Sequence, residues 1–134
     1  MPEQTTGFLA VRTMPLNGDT NALGTVFGGW IMAQMDIAAG IYAASLTEGL
    51  VTTVAVREMV FHKPGRAGQV ISVYASLLRW GRTSVTLDLV MQASSANPDR
   101  HERIASAIFT MVALDAQGKP KVLPARDATQ PPAE

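Results

Sequence analysis

The chain has no cysteine, which removes disulfides, thiolate nucleophiles and cysteine-based zinc sites together. Histidine is nearly as scarce. His62 and His101 are too few and too far apart in sequence to suggest a zinc site. Charged residues make up only 16% of the chain, and 11 Lys+Arg balance 11 Asp+Glu. No basic run supplies the field that a phosphate backbone requires, so nucleic-acid binding is excluded. No N-terminal stretch combines positive charge with an apolar run in the manner of a secretory signal, which argues against export and makes the cytoplasm the expected compartment.

What remains is apolar. Hydrophobic residues are 47% of the 134 positions, enough for one domain with a real core and too many for a disordered chain. The residues at 26–46 (VFGGWIMAQMDIAAGIYAASL) approach the length of a membrane span. Their one charge, Asp36, lies in the middle, where lipid would penalise it by about 3 kcal/mol, and no Lys or Arg flanks either end. A membrane helix is therefore rejected. The same stretch has apolar or small residues on every side, which predicts a helix enclosed by protein, with Gly49 as its left-handed stop.

Beyond it the period changes to two. Ile71, Val73, Ala75 and Leu77, then Val85, Leu87, Leu89 and Met91, alternate with polar neighbours and predict two half-buried strands joined by a hairpin at Trp80, Gly81 and Arg82. Residues 51–61 read as an earlier strand, bulged where Arg57 and Glu58 interrupt the apolar face. Residues 103–114 read as the last long strand and 8–13 as a short first one. One long helix and five consecutive strands without βαβ alternation give an α+β fold with an antiparallel sheet. The expected organisation is a flexible N-terminus at 1–6, a single domain at 7–118, and a proline-rich tail at 119–134.

Familiar chemistries are missing. The glycines from Gly24 to Gly29 have phosphate-loop spacing, but Trp30 and Ile31 stand where lysine and a hydroxyl are required. No serine sits in a Gly-x-Ser-x-Gly elbow. Three residues carry the positive reading. A carboxylate inside an apolar helix must be paired, neutralised or used, so Asp36 is either a catalytic acid or base or a hydrogen-bonded core residue. Gly28 and Gly29 open the same helix and let a ligand approach free N–H groups at its positive end, or else permit close packing. Asn21, in the loop before them, orients a ligand or forms an Asx turn.

Asn21, Gly28 and Asp36, in the stretch GDTNALGTVFGGWIMAQMD, resemble the active-site pattern of hotdog-fold acyl-CoA thioesterases of the YciA-type branch. The similarity continues through TTVAVREMVFHKP and the turn Gly81-Arg82-Thr83-Ser84, covering roughly residues 7–124. The chain departs from that pattern at Leu23, Thr25 and Arg57, where polar or acidic residues are usual. The resemblance implies a hotdog fold, a sheet wrapped around the helix, and acyl-CoA as substrate. It also implies homodimers with active sites between subunits, often assembled to hexamers as trimers of dimers.

On that reading Gly28, with Gly29 beside it, polarises the thioester carbonyl. Asp36 is general base or nucleophile, and Asn21 orients water or thioester. The Gly81-Arg82-Thr83-Ser84 turn meets the CoA phosphates, with Lys63 and Arg66 as lesser candidates. No metal or redox cofactor is needed. A non-catalytic acyl-CoA sensor is the alternative, whereas a dehydratase of the same fold would need a histidine near the helix start, which Phe27, Gly28, Gly29 and Trp30 do not supply.

Overall fold

Alternation of β-branched residues with small polar ones makes the ribbons of this protein, and one apolar segment makes the long helix found among the described residues. A computed structural model describes residues 7–97 and 100–126. Five strands, β1 (Phe8–Thr13), β2 (Leu50–Phe61), β3 (Val70–Trp80), β4 (Ser84–Ser94) and β5 (His101–Leu114), form one antiparallel sheet in the order β1-β3-β4-β5-β2. The helix α1 (Gly28–Thr47) separates β1 from β2 in sequence. Among the described residues no helix is long and apolar enough to cross a membrane.

The period-two pattern faces inward as expected. Ile71, Val73 and Ala75 of β3, Val85, Leu87, Leu89 and Met91 of β4, and Phe109, Met111 and Ala113 of β5 are buried beneath α1. The helix meets them with Ile31, Met35, Ala38, Ala39, Tyr42, Ala43 and Leu46, and Phe8 of β1 stacks on Tyr42 with ring centroids 5.2 Å apart. The small residues Ala38, Ala39 and Ala43 let the helix lie close on the sheet, while Met35 and Phe109 fill the remaining volume.

One local expectation changes and one holds. The left-handed residue that ends α1 is Glu48 (φ 56°), not Gly49. Gly49 lies under the end of the Lys121 side chain, with Nζ 2.9 Å from where a Cβ would stand. The bulge in β2 falls where the charges interrupt it, between Arg57 and Val60, and a second irregularity lies between Thr53 and Ala55. Glu58 inside the first bulge has φ 54°, a left-handed conformation that costs a side-chain-bearing residue about 1–2 kcal/mol relative to glycine.

The larger correction concerns the helix. It is not enclosed by its own chain: Gly29, Met32, Ala33, Asp36, Ile37 and Ile41 form an exposed stripe, with Ile37 50% accessible. Beside it runs β2, an edge strand with β5 as its single neighbour, whose Val54, Val56, Val60 and Phe61 are exposed as well. Periodicity reports that a helix face is apolar; it does not report whose atoms cover it. A contiguous apolar surface of this kind marks an association site.

At the other end the chain returns to the sheet. Residues 119–126, assigned to the tail by composition, run back along it. Lys121 N–H donates to Ala113 O, Leu123 N–H donates to Arg82 O, and the Leu123 side chain is buried. Trp80 Nε1 donates to Pro124 O at 2.8 Å, and the Arg126 guanidinium lies over the Trp80 ring. The expected flexible segment at 1–6 lies outside the described residues.

Candidate active site

The approach to α1 is a small self-supporting loop. Thr20 and Val26 bridge as antiparallel partners, Asn21 N–H donates to Thr25 O at 2.9 Å, and Gly24 takes the positive φ (79°) of the turn. Asn21 Oδ1 accepts the N–H groups of Leu23 and Thr25 at 2.9 and 3.1 Å, which is an Asx-type turn. The carbonyl end of this side chain is thereby committed, and its Nδ2 has no acceptor among the described residues. Asn21 is exposed, so it can offer a donor to a ligand but no acceptor.

Phe27 N–H, bonded to Asp19 O at 3.1 Å, hands the chain to the helix. The N-cap is Phe27, whose side chain makes no cap hydrogen bond, and the first turn contains no acidic residue. Serine, threonine or aspartate at that position would occupy the first free amides. Here the N–H groups of Gly28 and Gly29 have no acceptor among the described residues, and the positive end of a 20-residue helix is left unneutralised. Phe61 of β2 roofs the place: a Cβ on Gly28 would sit 3.4 Å from its Cζ, whereas one on Gly29 would meet nothing within 4 Å.

Asp36 lies two turns further along the exposed stripe. Sequence placed it in a buried environment, but in the single chain it is exposed, because the residues around it are small and the neighbouring strand is the sheet edge. Its Oδ1 accepts a short hydrogen bond from Thr53 Oγ1 of β2. Thr53 was not singled out from sequence, since one threonine in a β-branched strand carries no pattern of its own. Thr53→Val removes this donor and should lower kcat about tenfold, the worth of one hydrogen bond to a charged group, with KM nearly constant. Thr53→Ser should restore most of the rate, and steady-state kinetics on the pair of variants checks both statements.

One chain does not bring all these groups together. Gly28 and Asp36 are eight positions apart, about 12 Å along the axis at 1.5 Å per residue. The turn from Gly81 to Ser84 is further away. Gly81 N–H donates to Ser84 O at 2.7 Å, and glycine suits the place because a Cβ would come 3.0 Å from the same carbonyl oxygen. The carbonyls of Arg82 and Thr83 accept Leu123 N–H and Ala113 N–H, which ties the turn to β5 and to the returning segment, while the Arg82 side chain is exposed. Register pairs Ser84 with Val112 and Leu50 with Leu114, which puts the turn by the C-terminal end of α1. Gly28 lies at the opposite end, a helix length of about 30 Å away.

The lesser cationic candidates are at the Gly28 end. Arg66 bridges Thr25 through the backbone, and Lys63 is exposed, 3.6 Å from Glu102. Among the described residues no group of three or more His, Asp or Glu side chains is arranged to hold a metal ion.

The chain is thus a single long helix laid over a five-stranded antiparallel sheet, with bare amides at the helix start and a carboxylate two turns on. The comparisons agree. Residues 23–95 match the Thioesterase superfamily, and the chain belongs to that family. It is 40% identical over 121 residues to the acyl-CoA thioester hydrolase YciA of Escherichia coli strain K12, covering 88% of this chain and 92% of that one. Among solved structures it resembles a hexameric thioesterase from Yersinia pestis with a TM-score of 0.86 and 40% identity, over 91% of this chain and 100% of that one. A hexameric hotdog fold thioesterase of Campylobacter jejuni superposes with a TM-score of 0.82 at 29% identity, over 88% and 91% of the two chains.

Proposed function

We propose that the protein hydrolyses acyl-CoA thioesters to free acid and CoA in a site shared by two chains. The observation that carries the reading is the uncapped start of α1. Two amides at the positive end of a long helix, with no internal acceptor, are donors waiting for a developing oxyanion. The thioester carbonyl oxygen sits on Gly28 N–H with Gly29 adjacent, and Asn21 Nδ2 steadies the thioester or the water. Asp36 of the facing chain supplies the carboxylate, as base toward water or as nucleophile toward the carbonyl carbon. In the first case water adds to carbon, its proton passes through the carboxylate to the departing sulfur, and the C–S bond breaks. These steps call on no metal and no redox cofactor.

Sharing follows from the separation within one chain and from the exposed face. Two antiparallel copies joined across β2 and the stripe on α1 cover each other's apolar surface and bring each Asp36 toward the other chain's Gly28. The hexameric relatives fit a trimer of such homodimers. The exposed Arg82, with Gly81, Thr83 and Ser84, reaches the CoA phosphates from a different chain than the one supplying Gly28. No nucleic-acid or membrane partner enters this scheme, and the cytoplasm is the compartment it fits.

The test is free-thiol release from short, medium, long and aromatic acyl-CoAs. We expect turnover of at least one class, inhibited by CoA. In Arg82→Ala, KM should rise severalfold and CoA inhibition weaken while kcat is kept, since a remote phosphate contact serves ground and transition states alike. Acyl-CoA binding without thiol release would overturn hydrolysis and define a sensor.

A further inference from the structure

After β5 the chain reverses in a tight turn. Asp115 Oδ1 accepts the N–H groups of Gln117 and Lys119 at 2.9 and 3.0 Å, and Gly118 takes a positive φ of 79°. Pro120 then bridges Leu114, and the chain reaches the Gly81–Ser84 turn, where three contacts hold it. Leu123 N–H donates to Arg82 O at 2.7 Å, Trp80 Nε1 donates to Pro124 O at 2.8 Å, and the Arg126 guanidinium stands 5.0 Å from the Trp80 ring centroid. The Leu123 side chain joins the hydrophobic core. Pro120 and Pro124 lower the entropy lost in ordering such a segment.

What this segment holds is the peptide between Arg82 and Thr83. A hairpin supplies no partner for the carbonyl at its tip; Leu123 N–H supplies one. No described peptide is cis, and in a trans peptide the N–H lies opposite the carbonyl. Fixing Arg82 O on Leu123 therefore aims the Thr83 N–H away from the returning segment. Neither that amide nor the Arg82 N–H has an acceptor among the described residues. Two adjacent unpaired amides, a guanidinium and the hydroxyls of Thr83 and Ser84 make a set of donors for an anion. Lys121 favours the same use. The last turn of α1 has no basic residue, and Lys121 Nζ lies against Gly49 just beyond it, where it offsets the negative end of the helix.

We propose that residues 120–126 are a strap that shapes the turn for the CoA phosphates, with Trp80 and Leu123 as positioning residues that set CoA affinity. The proposal rests on the reading that places those phosphates at Gly81–Ser84, and it adds what keeps the turn in its binding shape.

Calorimetric titration with CoA, beside kinetics on one acyl-CoA and on the matching acyl-pantetheine, tests it. The pantetheine thioester keeps the reacting carbonyl and lacks the nucleotide phosphates. Trp80→Phe removes the Nε1 donor but keeps an aromatic ring, and Leu123→Ala keeps the N–H but removes the buried anchor. Each should weaken CoA binding and raise KM for acyl-CoA about 3- to 10-fold, the worth of one net hydrogen bond. In both variants kcat should be kept and acyl-pantetheine turnover should match the parent. Leu123→Met, of similar volume, should bind CoA like the parent. Equal losses on both substrates, or parental CoA affinity in Trp80→Phe and Leu123→Ala, would overturn the proposal and leave the strap as a brace for the core. Arg82→Ala with parental CoA affinity would instead remove the phosphates from the turn, and the proposal with them. Calorimetry reads binding without turnover, so a chain that binds CoA and does not hydrolyse its thioesters would sink the hydrolase reading and still decide the role of the strap.

Discussion

Asp36→Asn should lower kcat by at least about 10²-fold, the usual contribution of a positioned general base, while affinity for CoA stays within a few-fold. The amide keeps the shape of the carboxylate, and its oxygen can still accept the hydrogen bond from Thr53. What it loses is charge and basicity. Because Asp36 is exposed in the single chain and lies on no buried network, the change should leave folding intact. Single-turnover kinetics with circular dichroism on the same preparation checks the expectation. Near-normal turnover in a folded variant would remove Asp36 from the reaction and leave it as a hydrogen-bonded surface residue.

The second large effect is a recovery. Chains carrying Asn21→Ala and chains carrying Asp36→Asn should each be inactive, and mixing them through unfolding and refolding should restore about a quarter of parental activity. The figure follows from counting. Random pairing makes about half the dimers mixed, and each mixed dimer has one intact site and one doubly damaged site. Recovery requires that Asn21 and Gly28 belong to one chain and Asp36 to the other. Within a chain the loop around Asn21 leads directly into Gly28, whereas Asp36 is about 12 Å along the axis. No recovery, with mixed dimers confirmed by native mass spectrometry, would return the whole site to a single chain.

Much of the fold was legible because each element announces itself locally. The alternation at Ile71, Val73 and Ala75 and at Val85, Leu87 and Leu89 can satisfy only a sheet with one covered face. The bulge of β2 was legible from Arg57 and Glu58, since charges cannot continue an inward row. The resemblance named Asn21, Gly28 and Asp36 as candidates; among the described residues the Asn21 Nδ2 and the Gly28 amide have no acceptor, and the exposed Asp36 carboxylate is held by Thr53. What stayed hidden depends on neighbours distant in sequence. Thr53 matters through a hydrogen bond 17 positions away. The exposure of Asp36 depends on β2 being an edge, a property of strand order and not of β2 itself. The separation of Gly81–84 from Gly28 is likewise topological: the turn motif shows a tight loop but not at which end of the helix it falls.

Strand order also governs when this chain can fold as it is made. Among the described residues the sheet neighbour of β2 is β5 alone, and some forty residues of β3, β4 and their loops are synthesised between them. At roughly 5–20 residues per second that gap is about 2–8 s. During it the β3–β4 hairpin can close on local contacts, but β2 has nothing to pair with, and the helix before it has an incomplete sheet to lie on. A ribosome pause before His101 would prolong that interval, and a chain truncated after Ser94 would never leave it. Translation speed through β3 and β4 would then set how long β2 stays unpaired.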